Sequence, residues 1–127
     1  MKFDNAEIRI TNLRLRTYIG FNPEETQKKQ DVVINATILY PASQACESDS
    51  ETQALDYKVI TKAIIKLVED GRFKLLEKLT ADVVSLIMAN AQVTSAEVSI
   101  EKPHALRFAD SVSVTLRAHK DESSVCC

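Results

Sequence analysis

The chain has little of what breaks or staples a fold. Its 127 residues include only two glycines and three prolines, which argues against a low-complexity or disordered chain. The three cysteines, Cys46, Cys126 and Cys127, are odd in number, and two of them are adjacent at the C-terminus. They offer neither zinc-ligand spacing nor a credible disulfide framework, so a reducing cytoplasm is the expected setting. The terminal pair does not match a prenylation box, whose cysteine stands fourth from the end. No apolar run is long enough to span a membrane, and Met1-Lys2-Phe3-Asp4 does not open a signal peptide. A net charge of −2 and the lack of an aromatic platform on the strands argue against a nucleic-acid partner. There is no glycine-rich phosphate loop, and His104 and His119 stand too far apart to suggest zinc.

What is present is a core. Apolar residues make up 45% of the chain, and its length fits one domain. That domain is expected over residues 1–119, with a disordered tail at 120–127 whose thiols are incidental. Residues 7–19 are strand-like but change phase: Ile8 and Ile10 are apolar at even positions, Leu13, Leu15 and Ile19 at odd ones. A β-bulge near Thr11-Asn12 repairs the phase. Arg14, Arg16 and Tyr18 then share the face opposite Leu13 and Leu15, where arginines usually meet solvent. Gly20 supplies a turn into the polar loop 22–30. A second strand covers 31–40, with Val32, Ile34, Ala36, Ile38 and Tyr40 on one face. Residues 42–54 are acidic, without period, and read as a connection.

Asp56 is a good N-cap for a helix beginning at Tyr57. Its stripe is Val59, Ile60, Ala63, Ile64, Leu67 and Val68. Asp70-Gly71-Arg72 breaks the period. A second helix is predicted over 74–89, with Leu75, Leu76, Leu79, Val83, Leu86 and Ile87 inward. Strands follow at about 95–102 and 110–118, the latter with Val112, Val114, Leu116 and Ala118 on one face. The order β-β-α-α-β-β predicts an α+β two-layer sandwich with an antiparallel sheet. Its outer strand edges would be unpaired, which favours a closed oligomer over a monomer.

One stretch departs from plain core building. Ala96, Val98 and Ile100 alternate with Glu97, Ser99 and Glu101, and Lys102 falls in phase with the apolar set. Pro103 ends the ladder because it has no N–H to donate. Lys102 is then either a snorkelling side chain or a chemical group. Other candidates are Glu25 in the polar loop, Tyr57 at a helix start and Glu77 on the second helix. None of these forms a nucleophile–base motif by spacing, and Glu77 and Tyr57 have ordinary surface readings. A non-catalytic oligomeric binding module therefore remains an alternative.

Taken together, Tyr18-Ile19-Gly20, Glu25, Leu55-Asp56-Tyr57, Arg72-Phe73-Lys74-Leu75-Leu76-Glu77 and Lys102-Pro103 resemble the dihydroneopterin aldolase family over residues 6–118. Leu13-Arg14-Leu15-Arg16-Thr17-Tyr18-Ile19-Gly20 and the run from Lys102 to Ser113 resemble its epimerising branch more narrowly. Aldolases have Gly-Ala after Lys-Pro, where this chain has His104-Ala105-Leu106-Arg107. The resemblance implies the tunnelling fold, with subunits closing edge to edge into tetrameric or octameric barrels and pockets between subunits. It implies a small-molecule pterin partner, no membrane or nucleic acid, and neither metal nor cofactor. Glu77 and the backbone of Leu76 would anchor the pterin, because one carboxylate can accept from the paired pterin donors. Lys102 and Tyr57 would exchange protons, and Glu25 would approach the substrate side chain. The implied activity is epimerisation at C2′ of 7,8-dihydroneopterin triphosphate by retro-aldol chemistry; the alternative is aldol release of glycolaldehyde. His104 and Arg107, with Arg16 behind them, are the candidate clamp for the triphosphate.

Overall fold

The computed structural model describes residues 1–121; residues 122–127, which include Cys126 and Cys127 and most of the expected tail, lie outside the described residues. In chain order the elements are β1 (Ala6–Ile19), β2 (Gln30–Tyr40), α1 (Ser43–Ser48), a 3-10 turn (Glu51–Gln53), α2 (Tyr57–Glu69), β3 (Arg72–Phe73), α3 (Leu76–Met88), β4 (Ser95–Pro103) and β5 (Ser111–His119). The strands form one five-stranded sheet in the order β3-β1-β2-β4-β5. All neighbours are antiparallel except β1 and β3. The helices cover one face, α2 over β1 and α3 over β4 and β5.

The phase change in β1 is resolved by a bulge. Ile10 pairs with Ala36 and Leu13 with Ile34, so Thr11 and Asn12 together oppose Asn35. Asn12 takes a left-handed conformation (φ 54), and its amide donates to Asn35 Oδ1 at 2.8 Å. Asparagine tolerates that region better than most residues. Beyond the bulge Leu15 and Ile19 are buried against the helices, while Arg14 and Arg16 are exposed on the other face. The helix-facing side of β2 is sealed: Val32, Ile34 and Ile38 are fully buried, as are Val98 and Ile100 beside them on β4.

Asp56 caps α2 as anticipated, accepting from the amides of Lys58 and Val59 at 3.1 Å each. The helix stripes are narrower than the periodicity suggests. Ile60, Ile64 and Val68 of α2 are buried, but Val59 is 60% exposed. On α3, Leu76, Leu79, Val83 and Ile87 point inward, whereas Leu75 is 49% exposed because it precedes the helix in an extended conformation. Two short elements were not legible. α1 buries none of its residues, so it carries no apolar stripe, and β3 is too short for any periodicity.

The bulge gives a direct test. Asn12→Val places a β-branched residue in the left-handed region and should cost about 1–2 kcal/mol in urea unfolding, whereas Asn12→Gly should be close to neutral. Equal midpoints for the two variants would remove the bulge from the account of β1.

Candidate active site

Three segments distant in sequence meet at the end of β1. The first is the turn at Gly20. Its φ of 118 is a glycine conformation, and any Cβ there would overlap the Glu25 carboxylate. Its amide donates to the Phe73 carbonyl at 2.9 Å, which joins the turn to β3.

The second segment is the loop that carries Glu25. Asn22-Pro23-Glu24-Glu25 folds as a reciprocal cap: Asn22 Oδ1 accepts the Glu25 amide at 2.8 Å, and Glu25 Oε1 accepts the Asn22 amide at 3.3 Å. Thr26 and Gln27 amides complete the turn on the Asn22 and Glu24 carbonyls. Gln30 closes the loop base by donating from Nε2 to the Ile19 carbonyl at 2.6 Å. Arg72 ties the loop to β3: its Nη1 donates to the Thr26 carbonyl at 3.1 Å while its guanidinium stacks 3.9 Å above the Tyr18 ring.

The third segment is the end of β4. Lys102 continues the buried alternation of Ala96, Val98 and Ile100, so its side chain turns toward the helix layer. Its Nζ donates to Glu25 Oε2 at 2.8 Å, with side-chain exposures of 15% for Lys102 and 23% for Glu25. The ammonium holds the Glu25 carboxyl below its ordinary value of 4.5; burial opposes this shift, and the Asn22 amide adds to it. One carboxylate thus serves the cap through one oxygen and Lys102 through the other. Lys102 is not a snorkelling surface lysine.

Glu25 of this pair lines a cavity of 210 Å³, together with Tyr18, Gly20, Thr26, Arg72, Phe73 and Lys74. Leu76 and Glu77 open α3 just beyond Lys74. Glu77 is exposed in the first turn, where its charge suits the helix N-terminus, and among the described residues its carboxylate has no partner. Tyr57 starts α2, is 52% exposed, and has no phenol partner among the described residues. The structure therefore joins Lys102 and Glu25 directly but leaves Tyr57 and Glu77 facing outward from the single chain.

The hairpin loop 104–110 follows Lys102-Pro103. It is pinned by the His104 amide on the Asp110 carbonyl at 3.0 Å. His104 sits at φ 62, a conformation that suits glycine. Arg107 lies out on this loop with its guanidinium 5.6 Å from the Phe108 ring. Arg16 is partly engaged, with Nε 3.4 Å from Asp31 Oδ1 and Nη2 donating to the Lys29 carbonyl at 3.1 Å.

The FolB family, described as dihydroneopterin aldolase, matches residues 8–117. The chain belongs to that family. It is 56% identical over 115 residues to a dihydroneopterin triphosphate 2′-epimerase of Pseudomonas aeruginosa, covering 91% of this chain and 94% of the relative. It is 57% identical over 111 residues to the protein of that name in Escherichia coli strain K12, covering 87% and 92%. A solved Escherichia coli dihydroneopterin aldolase in complex with neopterin superposes with a TM-score of 0.84 at 26% identity, covering 89% of this chain and 98% of that one. Family membership accounts for the α+β architecture, and the chain is closer to the proteins named as epimerases than to that aldolase.

Sequence reasoning missed Asn22, Gln30 and Arg72 as supports of the site. The signal for Asn22 was visible, since Asn-Pro-Glu-Glu is a capping pattern. Arg72 acts through tertiary contacts that spacing does not encode. Replacing Lys102 with Ala should raise the Glu25 carboxyl, read by carbon-detected NMR of labelled glutamate. Because the folded-state carboxyl titrates below its ordinary value, Glu25 contributes stability above that value and loses it as pH falls through the lowered folded-state pKa. That acid-side loss should shrink in Lys102→Ala. An unmoved Glu25 titration would mean that the 2.8 Å contact does not govern it.

Proposed function

We propose that this enzyme epimerises C2′ of 7,8-dihydroneopterin 3′-triphosphate, giving 7,8-dihydromonapterin 3′-triphosphate. The observation that carries the reading is the Lys102–Glu25 pair at 2.8 Å beside the cavity of 210 Å³. It sets an ammonium and a carboxylate where a substrate side chain would lie. The 56% and 57% identities to proteins named as 2′-epimerases favour epimerisation over aldol release as the main outcome.

The roles follow from the chemistry. Glu77 accepts the paired donors of the pterin, with the Leu76 backbone beside it. Lys102 and Tyr57 act as general acid and base, and Glu25 orients Lys102 and the substrate hydroxyls. A base removes the 2′-hydroxyl proton, the C1′–C2′ bond breaks, and its electrons enter the C6–N5 imine as N5 takes a proton. The pterin becomes an enaminol with a C6–C1′ double bond, and C2′ becomes the aldehyde of a fragment that carries the triphosphate. That fragment turns over. C1′ attacks its other face, N5 gives up its proton, and the 2′-oxygen regains one. If the fragment escapes instead, the same steps give aldolase chemistry as a weak side activity.

The pterin site is completed between subunits of a homo-oligomer, a tetramer or octamer in which sheets close into a barrel. The free edge of β5 and the outward-facing Tyr57 and Glu77 support this arrangement. Arg16, His104 and Arg107 supply positive charge for the triphosphate. The proposed setting is cytoplasmic; among the described residues no helix is long and apolar enough to cross a membrane.

Product analysis by chiral chromatography tests the reading, with dihydroneopterin triphosphate and dihydroneopterin supplied separately. The 2′-epimer should form mainly from the triphosphate. Lys102→Ala should lower kcat by about a hundredfold to ten-thousandfold. Hydroxymethyl-dihydropterin as the dominant product would make the chain an aldolase, and full activity in Lys102→Ala would remove the proposed chemistry.

A further inference from the structure

On the sheet face turned away from the helices, a second cavity of 310 Å³ is lined by Arg14, Arg16, Asp31, Val33, Pro103 and His104 among others. We propose that this cavity seats the triphosphate of the substrate, with Arg14 as its principal ligand. This inference rests on the reading of the reaction given above and assigns the substrate's anionic end to a place and a residue.

Arg14 carries the argument. It is exposed, and among the described residues its guanidinium has no ionic or hydrogen-bonding partner. All five of its donors are therefore open to a ligand. The charge around it is otherwise settled. Arg16 lies 3.4 Å from Asp31 and offsets that carboxylate. Glu101, across β2 from Arg14 through Val33, accepts from Ser111 Oγ at 2.8 Å. Val33 is only 3% exposed although it lies on the open face, so it forms a dry floor beside the arginines. A planar guanidinium over such a floor, with a second arginine and a histidine at the walls, suits a chain of phosphoryl oxygens through forked hydrogen bonds.

His104 is the second independent observation. At φ 62 a glycine would be less strained, yet an imidazole is placed there at the cavity wall. In this proposal the imidazole offsets that backbone cost by meeting the anion.

The position fits the reaction. Successive residues of a strand point to opposite faces, so Lys102 faces the helix layer while Pro103 faces the second cavity. The end of β4 is thus a ridge between the Lys102–Glu25 pair and the cationic cavity. Arg16 also holds the Glu25 loop through the Lys29 carbonyl at 3.1 Å, so the two sites share a wall. A substrate lying across the ridge would place C2′ at Lys102 and its phosphates at Arg14. Cleavage leaves the phosphates on the aldehyde fragment, so Arg14 would keep that fragment in place for re-addition.

Two measurements test this on the full chain. Inorganic tripolyphosphate binding is followed by calorimetry on the wild type, Arg14→Gln and His104→Gly. The ratio of kcat/KM for dihydroneopterin triphosphate to that for dihydroneopterin is measured on the same proteins. Arg14→Gln should weaken tripolyphosphate by on the order of ten- to a hundredfold and lower the ratio by a similar factor. His104→Gly should raise the unfolding midpoint while weakening tripolyphosphate, a combination that loss of folding does not produce. Tripolyphosphate bound equally by wild type and Arg14→Gln, or an equal fall of kcat/KM on both substrates, would overturn the proposal. Arg14-dependent tripolyphosphate binding in a wild type that makes no epimer would instead overturn the reaction while supporting the anion seat.

Discussion

One extra residue in β1 holds the sheet's two faces apart. Thr11 and Asn12 oppose the single residue Asn35, and this offset lets apolar side chains on both sides of the bulge meet the helices. Without it, either Ile8 and Ile10 or Leu15 and Ile19 would turn to the open face. The same offset sends Arg14, Arg16 and Tyr18 outward. Core and cationic face are therefore consequences of one local irregularity, fixed by the left-handed Asn12 and its bond to Asn35. Bulges also increase the local twist of the strand that carries them.

The site is assembled where backbone constraints converge. Glycine at position 20 serves two ends: it permits the turn and leaves room for a carboxylate against the main chain. The Asn22–Glu25 cap makes the loop rigid enough to hold that carboxylate at Lys102. A half-buried ammonium is costly unless paired, and the pairing offsets that cost while leaving Glu25 beside a cavity. Arg72 closes the arrangement from below by spanning Tyr18 and the Thr26 carbonyl. These parts are supports, and their precision decides where Lys102 and Glu25 stand.

A family that runs aldolase and epimerase chemistry on one fold poses a question of retention. In the proposed retro-aldol reaction bond cleavage is common to both outcomes, so the distinction would lie in how long the small fragment stays. A phosphate chain gives that fragment charge, and charge gives the protein something to hold. Under the proposed reaction, positive groups near the end of β4 would bear on product identity without touching the reacting carbon. The left-handed His104 opens the loop that follows Lys102-Pro103.

Much of the fold was legible because it follows from short-range rules. The bulge at Thr11-Asn12, the Asp56 cap, the strand ending at Pro103 and the phase of Lys102 are each stated by neighbouring residues and an alternation. Val59 and Leu75 were not, because periodicity marks a face without saying how wide the opposing surface is. Neither α1 nor β3 carries enough apolar side chains to announce itself. For the site, the residue types were readable and their partners were not. The sequence by itself determined that a lysine would end a core-facing strand, that a carboxylate would sit in the polar loop after Gly20 and that arginines would share one face. Only the tertiary structure decided that Lys102 meets Glu25 across 77 residues and that Arg14, Arg16 and His104 line one cavity. The physical reason is that alternation and capping act over a few residues. Contacts between β1, the 22–30 loop and the end of β4 depend instead on strand order and register, which arise only when the whole sheet closes on its helices.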